Sequence, residues 1–185
     1  MIGLMGAGRS GKDTVAGFTG KVRFAFADPL KDAFATYHEI PRCWCDGLTE
    51  DGAELDREEE CVFWEGPTSS GVTIREGLQR FGVAMRETLG AEFWVDQTDH
   101  RITESGVRME DIVITDVRFE NEVDFVRGMG GIVLGIDRPG QELVASHSSE
   151  ELAKRMHEFA DVVISNGGTL RELEDETRSV MAGFQ

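Results

Sequence analysis

Ile2-Gly3-Leu4-Met5-Gly6-Ala7-Gly8-Arg9-Ser10-Gly11-Lys12-Asp13-Thr14 is an apolar run, a glycine-rich loop, and a lysine followed by an acid and a hydroxyl. Gly6 to Lys12 fit the pattern G-x-x-x-x-G-K. Glycines in such a loop let successive backbone N–H groups curl around a phosphate. The helix that follows aims its positive end at the same phosphate, and the lysine reaches the β and γ oxygens. The strand–loop–helix context is present, because Val15 and Phe18 follow at helical spacing before Gly20 closes a short helix. The expected phosphate-binding set is Gly6, Ala7, Gly8, Arg9, Ser10, Gly11, Lys12, Asp13 and Thr14. The hydroxyl residue that usually follows the lysine as a magnesium ligand is Asp13 here. Thr14, or a water held by Asp13, takes that role.

A rival pattern overlaps this one. Gly6-x-Gly8-x-x-Gly11 also fits the dinucleotide fingerprint, with Asp28 at about the distance of a ribose-binding acid, which would make the chain an oxidoreductase. Lys12 argues against it, since a pyrophosphate on a helix terminus does not require a lysine directly after the last glycine.

The chain has 185 residues, 40% of them hydrophobic, enough for one domain with a small inserted subdomain. A net charge of −16 argues against binding to nucleic-acid polymers. It also means that an anionic nucleotide must be met by cations concentrated locally. No apolar run has the length of a membrane span and no signal peptide precedes the first strand, so no membrane association and a cytoplasmic location are expected. Cys43, Cys45 and Cys61, with His38 nearby, match no standard zinc spacing. They read as reduced thiols.

Short apolar runs alternate with helical patterns, which predicts an α/β domain with a mainly parallel sheet. The expected strands are Ile2–Met5, Val22–Ala27, Asp111–Thr115, Gly131–Ile136 and Asp161–Ile164. Asp28-Pro29 reads as an N-cap with proline at the first helical position. Thr73-x-x-Glu76, Ser148-x-x-Glu151 and Thr169-x-x-Glu172 read as capping boxes, and Gly90 and Gly183 as helix ends. Residues 38–72 break the rhythm and are acidic, with Gly, Pro and Ser. They read either as a flap over the nucleotide site or as a solvated loop.

The helix expected over 74–89 carries two stripes. Ile74, Leu78, Phe81, Met85 and Leu89 form an apolar face that reads as core. Arg75, Gln79, Gly82 and Arg86 share a second face, either a solvated polar stripe or a ligand-binding one. Arginine binds phosphate bidentately and glutamine hydrogen-bonds a base edge. Gln79 and Arg86 are about 10 Å apart along the axis, the span of a mononucleotide, whereas Arg75 and Arg86, about 16 Å apart, do not grip one phosphate together. Gly82 suggests that something approaches closely there. Asp111-Ile-Val-Ile-Thr-Asp116 ends an apolar strand in an acid, the place of an aspartate that orients magnesium or its water. Arg138-Pro139 ends the next strand and leads into a polar stretch up to His147-Ser148-Ser149-Glu150, which reads either as a lid over 138–150 whose arginine closes over a transferred phosphoryl group or simply as a loop.

With these motifs in hand, the chain resembles the phage-type deoxynucleoside monophosphate kinases of the P-loop NMP-kinase superfamily. The resemblance rests on Gly11-Lys12-Asp13-Thr14, Phe26-Ala27-Asp28-Pro29-Leu30-Lys31, Thr73-x-Arg75-x-x-x-Gln79-x-x-Gly82-x-x-x-Arg86, Phe93-Trp94-Val95, Thr115-Asp116-Val117-Arg118-Phe119-x-Asn121-Glu122, His147-x-Ser149-Glu150 and Ala160-Asp161-x-x-Ile164-x-Asn166-x-Gly168-Thr169. It implies a single three-layer P-loop kinase domain over 1–185: a parallel five-stranded sheet flanked by helices, an NMP-binding insertion at 38–90 and a lid at 138–150. It also implies ATP with Mg2+ as cofactors and a deoxynucleoside monophosphate as acceptor, and leaves a homodimer open. The residue roles it implies are these. Lys12 stabilises charge on the transferred group. Asp13, Thr14 and Asp116 hold the metal. Arg118 and Arg138 face the transferring phosphoryl group. Arg75, Gln79 and Arg86 seat the acceptor, with Asp28 and Lys31 near its sugar and phosphate. Asn166 either borders the adenine of ATP or serves the core or a cap. The other acceptor considered within the superfamily is dephospho-CoA. A GTPase would carry an Asn-Lys-x-Asp run, which is missing from the sequence.

Overall fold

Every residue of the run Ile2–Met5 is buried, and the reason is its place as the central strand of a sheet. The computed structural model describes residues 1–56, 72–140 and 154–184. The chain divides into two compact units, Met1–Phe26 with Thr98–Gln185, and Ala27–Gln97.

The first unit is built on five parallel strands: β1 (Ile2–Met5), β2 (Val22–Phe24), β3 (Ile112–Val117), β4 (Ile132–Asp137) and β5 (Val162–Ser165), in the order β2-β3-β1-β4-β5. Its helices are α1 (Lys12–Thr19), α6 (Glu120–Gly128), α7 (Met156–Phe159) and α8 (Leu170–Ala182). Alternation along β1 sorts them into layers. Ile2 and Leu4 pack with Val15 and Ala16 of α1, Leu173 of α8, and Val113, Leu134, Ile136 and Ile164 from the neighbouring strands. Gly3 points the other way, where an added Cβ would stand 3.0 Å from Val126 of α6. Helix, sheet and helix make three layers. The expected α/β P-loop architecture is thus observed, with five parallel strands.

The strand order decides between the two readings of the glycine loop. In the dinucleotide fold the acid-bearing second strand lies beside the first. Here β1 lies between β3 and β4, and β2 is at the sheet edge beyond β3. Asp28 is not at a strand end but in the first turn of a helix.

The second unit contains α2 (Ala27–His38), α3 (Arg42–Asp46) and α4 (Ile74–Leu89), and α5 (Phe93–Ser105) begins in it. Phe34, Ala35, Cys45, Ile74 and Leu78 form its core, with Leu30, Trp44 and Phe81 packed against them. Gly82 of α4 has an internal explanation. A Cβ there would lie 2.6 Å from Leu30 Cδ1, and Trp94 Nε1 donates to the Gly82 carbonyl at 3.2 Å. The close approach is made by the protein's own helices.

Several boundaries differ from the sequence expectation. The helix expected to start after Asp28 starts at Ala27, so Asp28 is a first-turn acid and not the N-cap. Pro29 is tolerated because first-turn N–H groups have no intrahelical partner anyway. β2 ends at Phe24 instead of Ala27, because the Phe26 N–H leaves the ladder and donates to Asp116 Oδ1 at 2.8 Å. β3 continues to Val117, which places Asp116 inside the strand. Leu89 is 56% exposed, so the apolar stripe of α4 leaves the core at its last turn. The Thr169–Glu172 box closes reciprocally, at 2.7 Å and 3.3 Å. Thr73 accepts from the Glu76 N–H, but the Glu76 carboxylate pairs with Arg80 instead. Ser148–Glu151, Cys61, and the parts of the 38–72 flap and 138–150 lid that fall at 57–71 and 141–150 lie outside the described residues.

Leu134 is fully buried in β4, beside β1. Leu134→Ala is expected to cost about 2–5 kcal/mol through lost burial and a residual cavity. The expected fall in Tm is about 5–15 °C, read by thermal denaturation.

Candidate functional site

Between β1 and α1 the chain reverses within six residues, and two glycines carry the turn. Gly6 has φ 146° and Gly11 φ 102°, conformations that L side chains rarely adopt. A Cβ on Gly6 would also stand 2.5 Å from the Ile136 carbonyl oxygen of β4. Arg9 takes a left-handed φ of 61° without being glycine. Ser10 is 1% exposed, and its N–H donates to the Ala7 carbonyl at 3.2 Å. Gly11 is the N-cap of α1, so the N–H groups of that helix's first turn open at the loop.

Three side chains converge on the loop backbone. Lys12 Nζ donates to the Gly6 carbonyl at 3.0 Å and the Ala7 carbonyl at 2.6 Å. Arg138, just past β4, donates from Nη1 to the Arg9 carbonyl at 3.3 Å. Asn166, just past β5, donates from Nδ2 to the Ser10 carbonyl at 2.8 Å. Residues distant in sequence, named from separate motifs, therefore meet at one loop. Asp13 and Thr14 are exposed in the first turn of α1. Their carboxylate and hydroxyl, with the Asp116 carboxylate on β3, are the hard oxygen donors that magnesium prefers. No cluster of three or more His, Cys, Asp or Glu side chains able to hold a metal occurs among the described residues.

Arg118, exposed after β3, owes its backbone position to a residue given no role by sequence reasoning. Glu122 is 2% exposed, and its carboxylate accepts the N–H groups of Arg118 at 2.7 Å and Phe119 at 3.1 Å, capping α6. Its position three residues after the N-cap is the signal that marks such an acid.

In the second unit, Gln79 and Arg86 are half-buried on α4 and Arg75 is exposed. Arg86 Nη1 donates to the Ala91 carbonyl at 3.3 Å. Asp28 and Lys31, expected near the acceptor, are ion-paired. Arg42 joins Asp28 at 3.2 Å and also binds Asp32 and Asp46, while Lys31 meets Asp46 at 2.8 Å. Arg42 was not singled out from the sequence, although its i,i+4 spacing to Asp46 is the usual mark of such a pair. Burial alone would push the Asp46 carboxyl up, but the Lys31 ammonium and the Arg42 guanidinium outweigh it and hold it below the ordinary carboxylate range. A depressed carboxyl stabilises the fold above its unfolded pKa, and that contribution is lost as pH falls through the lowered value. Asp46→Asn should therefore lower Tm by about 1–3 °C at neutral pH. The difference should shrink as pH falls below the ordinary carboxylate range and through the lowered value, which melts over a pH series will check.

A glycine loop with lysine at the carboxyl edge of a parallel sheet, opening into a helix N-terminus, defines the P-loop class of phosphate-binding proteins. A family model for deoxynucleotide monophosphate kinase matches residues 65–177. A protein of Acanthamoeba polyphaga mimivirus, provisionally named a deoxynucleotide monophosphate kinase, is 31% identical over 186 residues, 93% of this chain and 91% of the relative. The deoxynucleotide monophosphate kinase of Enterobacteria phage T4 is 33% identical over 69 residues, 37% of this chain and 28% of that protein. Among solved structures, the dephospho-CoA kinase from Campylobacter jejuni superposes with a TM-score of 0.51, covering 100% of this chain and 96% of its own. At 15% identity that likeness shows the fold alone. The chain belongs to the deoxynucleotide monophosphate kinase family. It is a nucleotide phosphotransferase.

Proposed function

We propose that the chain moves the γ-phosphoryl group of ATP onto the 5′-phosphate of a deoxynucleoside monophosphate. The bond from the γ phosphorus to the β–γ bridging oxygen breaks, a bond from an acceptor phosphate oxygen to that phosphorus forms, and ADP and a deoxynucleoside diphosphate leave. The observation that carries this reading is the loop Gly6–Gly11 with Lys12, Arg138 and Asn166 converging on its carbonyls, in a chain of this family.

Phosphoryl transfer asks little covalent chemistry of the protein, so positioning and charge supply the rate. The backbone of Gly6, Ala7, Gly8, Arg9, Ser10 and Gly11 and the first turn at Asp13 and Thr14 receive the donor phosphates. Lys12 leaves the Gly6 and Ala7 carbonyls for the β and γ oxygens, exchanging two neutral acceptors for charged ones, which bind more strongly. Arg138 makes the same exchange from the Arg9 carbonyl, and Arg118 adds a second cation. Asp13, Thr14 and Asp116 would hold Mg2+, which when bound neutralises phosphate charge. Asp116 already has one oxygen on the Phe26 N–H. Arg86 and Arg75 receive the acceptor phosphate and its surroundings, and Gln79 reads a base edge. Asp28 and Lys31 act from within the Arg42 and Asp46 pairs, holding the start of α2. The substrates are small nucleotides, and no helix among the described residues is long and apolar enough to cross a membrane.

Lys12→Ala is expected to keep its fold and lose about 10²–10³ in kcat, because the lysine acts on charge that develops during transfer. Near-wild-type turnover would remove the phosphate-loop mechanism. Arg86→Ala should raise KM for the deoxynucleotide about 10- to 100-fold with far less change for ATP. An equal rise for both would make Arg86 a structural contact to Ala91. Asp116→Asn keeps an acceptor for the Phe26 N–H and removes only the charge. Its magnesium titration midpoint should rise and kcat fall, and an unchanged midpoint and kcat would leave Asp116 as a backbone cap.

A further inference from the structure

We infer that Asn166 is a positioning residue for the phosphate loop. It acts on the donor's phosphates through the Ser10–Gly11 peptide, not on the donor's base. This rests on the phosphate-loop reading above. Asn166 is the first residue beyond β5, and its own backbone is fixed because its N–H donates to the Asp137 carbonyl at 2.6 Å, continuing the β4–β5 ladder by one step. From that anchored position Nδ2 reaches across 156 residues of sequence to the Ser10 carbonyl at 2.8 Å. The fit is tight, since a Cβ on Gly11 would stand 2.5 Å from the same Nδ2. Glycine at 11 thus has a reason beyond its φ of 102°: the amide of Asn166 occupies the space a side chain would fill.

The consequence follows from peptide geometry. In a planar trans peptide the C=O and N–H point in opposite directions. Holding the Ser10 carbonyl toward Asn166 therefore turns the Gly11 N–H away from it, at the N-cap of α1, where N–H groups form the anion site. Ser10 cannot easily swing, because its side chain is 1% exposed and a Cβ on Gly6 would lie 2.9 Å from its Oγ. The neighbouring carbonyl, Arg9, is held by Arg138 from the end of β4. Arg138 is a cation that phosphate attracts away from that carbonyl. Asn166 is neutral and stays, so it keeps the peptide direction while the phosphates bind.

The test is to measure dissociation constants of Asn166→Ala for ATP, GTP and inorganic tripolyphosphate by calorimetry, beside the wild type. A loop latch predicts that all three weaken by one common factor, about 5- to 30-fold for a lost hydrogen bond that oriented a binding group. It further predicts an unchanged ATP-to-GTP ratio, an unchanged KM for the deoxynucleotide, and faster hydrogen exchange in the ligand-free peptide covering residues 6–14. Loss confined to ATP, with tripolyphosphate unaffected, would make Asn166 a base contact and overturn the inference, as would unchanged affinities. If the alanine variant fails to fold, Asn166→Asp keeps the shape while turning the donor into an acceptor. It is then read by the same ratios and the same exchange measurement. A wild-type protein that binds none of the three would instead remove the phosphate-loop reading itself.

Discussion

The hinge of this structure is a backbone constraint, the reversal that carries the chain from the buried end of β1 into α1. It works only with Gly6 and Gly11 at positive φ, with Gly6 under the Ile136 carbonyl and Gly11 against Asn166. Because β1 is central, the strands that flank or follow it deliver the groups that hold the loop. The end of β4 supplies Arg138 and the end of β5 supplies Asn166. Loop, sheet order and site are one arrangement: moving β1 to an edge would take away the residues that fix the turn.

Charge explains why such a site is needed in this protein. With a net charge of −16, the average field repels nucleotides, so binding depends on local donors. The loop brings together Lys12, Arg138 and the amides at the start of α1. The second unit handles charge differently. Arg42 sits among Asp28, Asp32 and Asp46 and ties α2 to α3, so its cation is spent on holding helices together. In the reaction proposed above, the acceptor is seated instead by Arg75, Gln79 and Arg86 of α4.

What was legible in the sequence was local. The strand, glycine turn and helix over 2–20, the Thr169–Glu172 box and the helix ends at Gly90 and Gly183 each depend on residues a few positions apart, and all form as expected. Where sequence reading fell short, the deciding partner is remote. Nothing near Gly82 reveals that Leu30 requires it to be glycine. Nothing near Asn166 reveals that its amide meets Ser10. Strand order is likewise non-local, yet it is what separates a triphosphate loop from a dinucleotide one. The exposure of Leu89 shows the limit of periodicity, which finds a helix face but not where its cover ends.

Kinship, fold and loop converge on a phosphotransferase whose acceptor is itself a nucleotide, and acceptor choice tests that most directly. Coupled detection of ADP release, with ATP and Mg2+ and each of the four common deoxynucleoside monophosphates, should show turnover with one or more of them. Ribonucleotide counterparts and dephospho-CoA run in parallel. ADP release that depends on a deoxynucleoside monophosphate, with dephospho-CoA inert, is the predicted result. Release driven by dephospho-CoA alone, or by none of the deoxynucleotides, would contradict it.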